Sequence, residues 1–310
     1  MKNFKRILVY YPLHTANEPL FKRAISLARN NDASLKLIDV IPEPTPSRDV
    51  VETLDLDMMY QRVIEHRQRD LEKLIAPLKA DGMDVSCDVH HGKPFIEIIK
   101  TVLRGNHDLV MKSGEGKEGL LIGSTAMRLM RNCPVPVWVL RPDIGDKFDR
   151  IMVPINVSSF DDDHQELNRR IIELGISIAR HEDADLHFVH AWKTFERNFT
   201  VGQYNIFAEQ FADITKQGQK MIQKQFDEII ASYDLDGIRY EKHLIYGDSD
   251  LVIMSLADDF EIDLIVMGTV ARTGFDGIFI GNTAELVLRS VKCSVLAIKP
   301  DGFESPIKIN

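Results

Sequence analysis

Cysteine is scarce: the 310 residues include only Cys87, Cys133 and Cys293, with no CxxC pair. An odd number without that spacing argues against a disulfide framework or a cysteine zinc site, and fits a reducing cytoplasm. Long hydrophobic runs are missing as well. No stretch approaches the roughly 18 apolar residues of a membrane span, and the apolar run near the N-terminus is too short for a signal peptide. The expectation is a cytoplasmic protein with no membrane partner. Positive charge is in deficit, 38 Lys and Arg against 47 Asp and Glu for a net charge of −9. No chain-wide basic field therefore exists to hold nucleic acid. Against these absences, 44% apolar and 27% charged residues are ordinary for a globular chain and exclude a disordered one.

What is present is a repeat. Residues 123–143, GSTAMRLMRNCPVPVWVLRPD, align without a gap on residues 281–301, GNTAELVLRSVKCSVLAIKPD, at an offset of 158. Earlier matches keep the same order: Arg6-Ile7-Leu8-Val9 with Arg150-Ile151-Met152-Val153, Asp32-Ala33 with Asp183-Ala184, Gly92 with Gly247, and Asp108-Leu109-Val110 with Asp263-Leu264-Ile265. A unit of about 150 residues copied in tandem explains this order. The expected boundaries are 1–143 and 150–301, with a tail at 302–310 and a polar linker, PDIGDKFD, between the copies.

Within each half, short apolar runs alternate with helical patterns. Strands are expected at 151–155, 186–191, 240–245, 264–267 and 294–298, and helices near 163–181, 205–233, 249–260 and 282–290. One long helix is read as burying Phe207, Phe211, Ile214, Gly218, Met221, Ile222 and Ile229; its counterpart uses Tyr60, Val63, Ile64, Leu71, Leu74, Ile75 and Leu78. Strand-helix alternation calls for right-handed crossovers and a parallel sheet. The expected fold is α/β: two tandem doubly wound domains, each with a five-stranded parallel sheet. In such sheets ligands sit outside the carboxyl ends of the strands, where strand order reverses. That rule selects the loops after the first and fourth strands of each half.

After the fourth strand of the second half come Gly268, Thr269, Ala271, Arg272, Thr273, Gly274, Gly277, Gly281, Asn282 and Thr283. Glycines that turn amides toward one point, beside the start of a helix, make an anion cradle. The plain alternative is a long glycine turn with Asn282 as a helix cap. Aromatics crowd between Trp192 and Phe211: Trp192, Phe195, Phe199, Tyr204, Phe207 and Phe211. They read either as packing on the sheet or, through Trp192, Phe195 and Phe199, as an apolar pocket wall. His187 and His190, three apart in one strand, face opposite ways and cannot chelate one ion. No catalytic or metal-binding residue is assigned. In the first half, Gly114-x-Gly116-x-x-Gly119 matches the dinucleotide fingerprint but opens the last crossover rather than the first, and the repeat lacks it.

The strand Asp263–Met267, the glycine loop and GNTAELVLRSVKCSVLAIKP are similar to the C-terminal signature of the universal stress protein family. The order of elements in both halves resembles the tandem-domain form of that family over essentially the whole chain. The resemblance implies an adenine-nucleotide alpha hydrolase-like fold. Nucleotide-binding members carry Gly-x2-Gly-x9-Gly-Ser/Thr in this loop and an aspartate ending the first strand. Carried across, the glycines are Gly268 and Gly281, with Ala271 at the middle glycine, Asn282 at the Ser/Thr and Asn156 at the aspartate. Ala271 adds a methyl where the backbone approaches a phosphate, and Asn156 keeps hydrogen bonding while losing charge. In the first half Gly123-Ser124 keeps the final pair, but Ser113 replaces the first glycine and Tyr11-Pro12 stands where the acid belongs.

The resemblance thus implies a non-catalytic stress-response protein supporting survival, including under DNA damage. Its second domain would bind a nucleotide-like or amphiphilic small molecule. ATP binding with weak ATPase or phosphoryl-transfer activity through Gly268, Gly281, Asn282 and Arg272 is one alternative, and a purely structural interaction module is another. Single-domain relatives pair through the last strand of each sheet, so Val135–Leu140 and Ser294–Ile298 are expected to pair within this chain. A homodimer is the further partner considered.

Overall fold

A computed structural model describes residues 4–309 apart from 16, 44–55, 115–121, 144, 146, 158–161, 194–207 and 270–280. In chain order the strands and helices are β1 Arg6–Tyr10, α1 Glu18–Asn31, β2 Ser34–Ile41, α2 Leu56–Ala80, β3 Val85–His91, α3 Pro94–Gly105, β4 Leu109–Ser113, α4 Ser124–Asn132 and β5 Val137–Leu140. The alternation resumes with β6 Arg150–Pro154, α5 Asp162–Glu182, β7 Asp185–Trp192, α6 Ala208–Ala231, β8 Tyr240–Tyr246, α7 Ser249–Asp259, β9 Leu264–Gly268, α8 Asn282–Ser290 and β10 Ser294–Ile298. The chain forms two compact units, one of Met1–Lys147 with Thr269–Asn310, the other of Phe148–Gly268.

In the first unit β3, β2, β1, β4 and β5 lie side by side and parallel. This is the order expected when right-handed βαβ crossovers start from a central first strand. The interior of β1 (Ile7, Leu8, Val9) and of β4 (Leu109, Val110, Met111) is fully buried, as a parallel sheet covered on both faces requires. Each such side chain contributes about 1.5–3 kcal/mol by leaving water. β10 joins this unit antiparallel to β5, with Val295 opposite Val139, Leu296 opposite Trp138 and Ala297 opposite Val137. The expected pairing of the two last strands is therefore present, over a shorter β5. The Ser294 hydroxyl adds a bond by accepting the Arg141 N–H at 3.1 Å.

The second unit arranges β9, β6, β7 and β8 in parallel. α5 lies close against β6 and β9 because two glycines permit it. A Cβ on Gly175 would collide with Val153 Cγ2, and one on Gly268 would fall 2.8 Å from Leu167 Cδ2. At Gly268 the missing side chain thus serves helix–strand packing, whatever else the glycine loop does.

The duplication is visible in the backbone. Asp108 accepts the N–H groups of Lys5 (2.6 Å) and Arg6 (2.9 Å), and Asp263 accepts those of Asp149 (2.9 Å) and Arg150 (3.0 Å). α1 and α5 are both followed by an aspartate in the left-handed region, Asp32 and Asp183, at φ 50° and 56°. Asn106 and Glu261 do the same near the ends of α3 and α7, at φ 48° and 44°.

The helical faces need correction. In α6, Met221 is 65% exposed, and the buried side chains are Phe226 and Ile230; Phe207, Phe211 and Ile214 lie outside the described side chains. In α2, Val63 is 40% exposed, and burial is confined to Leu71, Ile75 and Leu78 toward the C-terminal end. In both helices described positions of the apolar stripe are exposed, so a stripe read from spacing alone overstates the buried face.

Candidate functional site

Asn156 follows the carboxyl end of β6, where the doubly wound architecture positions ligands. Its backbone is held by one side chain of α5: Asn168 Oδ1 accepts the Asn156 N–H at 3.2 Å, and Asn168 Nδ2 donates to the Asn156 carbonyl at 2.6 Å. This reciprocal pair fixes the strand-to-helix turn. Beside it opens a groove of about 460 Å³ between α5 and α6. Asn156, Gln165, Asn168 and Arg169 line one side; Gln225, Ser232 and Tyr233 line the other.

The groove mixes these polar side chains with the apolar Val157, Ile172 and Ile229, and holds little free positive charge. Arg169 donates to Glu166 on one side and to Glu173 on the other, the latter at 2.6 Å. Those carboxylates raise its pKa and hold Glu166 below the usual carboxylate range. Burial, then the negative charge of Glu173, raises the Tyr233 phenol, so it stays a protonated donor at neutral pH. Amides and hydroxyls supply both donors and acceptors here, a set that suits a hydrogen-bonding sugar or base better than a bare polyphosphate.

Around the end of the first strand, the first half carries different residues. Tyr11 follows β1, is buried, and sets its ring 5.5 Å from that of Phe21. Asp39 on β2 is completely buried and receives Arg67 Nη1 of α2 at 2.9 Å. Both bonds to Asp39 fall on Oδ2, the second coming from the Leu13 N–H, while Oδ1 is buried with no hydrogen-bond partner among the described residues.

The remaining expected site residues divide as follows. Gly268 ends β9 in the second unit. Thr269 is buried in the first unit, where its N–H and hydroxyl reach the Ile298 carbonyl at 3.1 and 3.4 Å and its carbonyl accepts the Gly281 N–H at 3.0 Å. Its polar atoms thus fasten the ends of the loop. Gly281 caps α8 without a side-chain bond, leaving Asn282 and Thr283 exposed in the first turn. Gly123 opens α4 in the same way. Ala271, Arg272 and Gly274 lie outside the described residues, as do Phe195 and Phe199 and the segment 115–121 of the dinucleotide-like motif. Trp192 is buried at the end of β7, edge-on to Tyr246 at 5.1 Å, and its indole Nε1 has no hydrogen-bond partner among the described residues.

Two histidines change meaning. His190 turns to the Ile155 carbonyl at 3.0 Å, whereas His187 meets His243 of β8 at 3.0 Å. The pair His187 and His190 does diverge, but the partner across the sheet escapes a reading confined to one strand.

No helix among the described residues is long and apolar enough to cross a membrane. The universal stress protein family matches residues 3–141 and again 147–299. The chain is 29% identical to universal stress protein E of Photorhabdus laumondii, covering 99% of both chains. It is 27% identical to universal stress protein E of Escherichia coli, covering 100% of this chain and 98% of that one. Among solved structures, a universal stress protein from Archaeoglobus fulgidus superposes with a TM-score of 0.64 at 18% identity, covering 96% of this chain and 97% of its own. The fold is α/β, and with two matches in tandem spanning nearly its whole length the chain belongs to the universal stress protein family.

Proposed function

We propose that this protein is a non-catalytic, cytoplasmic stress-response protein. On this reading it binds one small molecule, nucleotide-like or amphiphilic, through the second of two repeats (1–143 and 150–301, followed by the tail 302–310), and supports survival under stress, including DNA damage. The observation that carries the reading is the asymmetry between the halves. The groove beginning at Asn156 is lined by amides and hydroxyls beside apolar side chains, while the first half carries Tyr11 and the Asp39–Arg67 pair around the end of its own first strand. Arg169, engaged on both sides by glutamates, favours recognition of a sugar, base or head group through hydrogen bonds.

Thermal-shift measurement on the full chain with adenine nucleotides, nucleotide sugars and acylated metabolites tests this directly. At least one member of the panel is expected to raise the unfolding temperature. Ser232→Trp, at an exposed position on the rim, should abolish that shift while leaving the ligand-free transition within about 2 °C, because a surface substitution costs little. A shift that survives Ser232→Trp, or steady phosphate release from ATP, would contradict the proposal.

A further inference from the structure

Strands β7 and β8 bring three metal-ligating side chains to one spot. His187 stands opposite Glu241 in the parallel register, and His243 is two residues farther along β8. Residues two apart on a strand share a face, so Glu241 and His243 project on the same side, next to His187. His187 Nδ1 lies 3.0 Å from His243 Nε2, His243 Nε2 lies 3.7 Å from Glu241 Oε2, and all three ligand atoms fall within 4.8 Å of one another.

Those separations can be compared with what an ion demands. At metal–ligand distances near 2.0–2.2 Å, two ligands of a tetrahedral zinc ion stand about 3.4 Å apart. The two shorter separations bracket that value, and the third is within 4.8 Å. We propose that His187, His243 and Glu241 form a zinc-binding site that ties β8 to β7, with water as the fourth ligand.

The surroundings suit an ion of this kind. His187 is buried and His243 nearly so, while Glu241 is 62% exposed and opens the site to solvent. The Phe260 ring walls the other side, 5.0 Å from the His187 ring and 4.8 Å from that of His243. Burial holds both imidazoles below their ordinary pKa, His187 further lowered by His243. Both rings are therefore neutral at neutral pH, the form a metal requires. Without metal, one imidazole donates its N–H to the other. Zinc takes both facing lone pairs once the donor ring carries its proton on the far nitrogen, and no proton is lost overall. The arrangement lies apart from the groove at Asn156, so its outcome is independent of the ligand proposed there.

The test is calorimetric titration of chelator-treated full-length protein with zinc chloride near neutral pH. Cobalt(II) chloride in place of zinc provides a spectroscopic readout. One zinc per chain is expected, with a rise in unfolding temperature and the intense visible absorption of four-coordinate cobalt. His243→Gln, on the outer strand, should abolish all three; His187→Gln should do the same. Glu241→Gln should weaken binding by at least the roughly 10–100-fold that even an outer-shell partner is worth. His66→Gln, on the solvent face of α2, should change nothing. No zinc binding by the wild type would overturn the proposal, as would binding and cobalt absorption that persist in His243→Gln.

Discussion

Trp138→Ala is expected to destabilise the chain by about 3–5 kcal/mol, the range for truncating a large aromatic in a packed core. Trp138 is 2% exposed on β5. It stands opposite Met111 of β4 on one side and Leu296 of β10 on the other. Its removal leaves a cavity at the seam where the last strands of the two repeats meet, and the flanking strands cannot collapse into it without losing register. Urea unfolding followed by fluorescence measures the loss, since Trp192 remains as the only other tryptophan in the chain. A loss below about 1 kcal/mol would mean that this seam does not carry the packing described.

Lys299→Met is expected to stabilise the protein, and the gain should depend on pH in a definite direction. Lys299 follows β10, is 4% exposed, and places its ammonium 4.4 Å from the Phe303 ring centre. Burial lowers its pKa to about 8 from 10.5. Below pH 8 the side chain is charged in both states, and the folded state carries the full cost of burying that charge. Between about 8 and 10.5 the unfolded chain binds a proton that the folded chain lacks, so stability rises with pH across this window. At 1.36 kcal/mol per pKa unit the cost is about 3 kcal/mol, and setting the cation–π contact against it leaves about 1–3 kcal/mol. The variant should therefore exceed the wild type by that amount at pH 7, and the two should converge near pH 10.5. Comparing the two proteins cancels the tyrosines and cysteines that titrate in the same range. A gap of opposite sign, or one unchanged with pH, would contradict the assignment.

The repeat was legible because its markers serve local backbone needs. Asp108 and Asp263 bond the amides at the start of β1 and β6, and Asp32 and Asp183 follow α1 and α5 in the left-handed conformation. Each role is fixed by a few neighbouring atoms, so the residue and its place in the pattern are kept together. Strand positions came through for a related reason: a strand buried on both faces must be apolar throughout. The helices were less legible. Val63 and Met221 fit an apolar stripe, but a stripe does not say which of its positions are buried. The role of Gly268 was also hidden, because the sequence cannot show that Leu167 of α5 would occupy the space of its side chain.

The sites divide along the same line. Strand order alone selected the loop after the first strand, a topological position, and the family resemblance singled out Asn156 within it. The groove beside it depends on the distance between α5 and α6, which no spacing encodes. His187, Glu241 and His243 come together only through the parallel register of β7 on β8. His187 and His243 are 56 residues apart in the chain, and the one local signal was the alternation Glu241-Lys242-His243, which places two ligands on one face.

On the proposed reading, one copy of the duplicated unit keeps a single ligand seat, in the groove at Asn156. Native mass spectrometry of the full chain, mixed with whichever panel member most raises its unfolding temperature, counts the occupied seats. One bound molecule per chain, lost in Ser232→Trp, is the predicted result. Two molecules bound with similar affinity, or one that remains when the Asn156 groove is blocked, would contradict it.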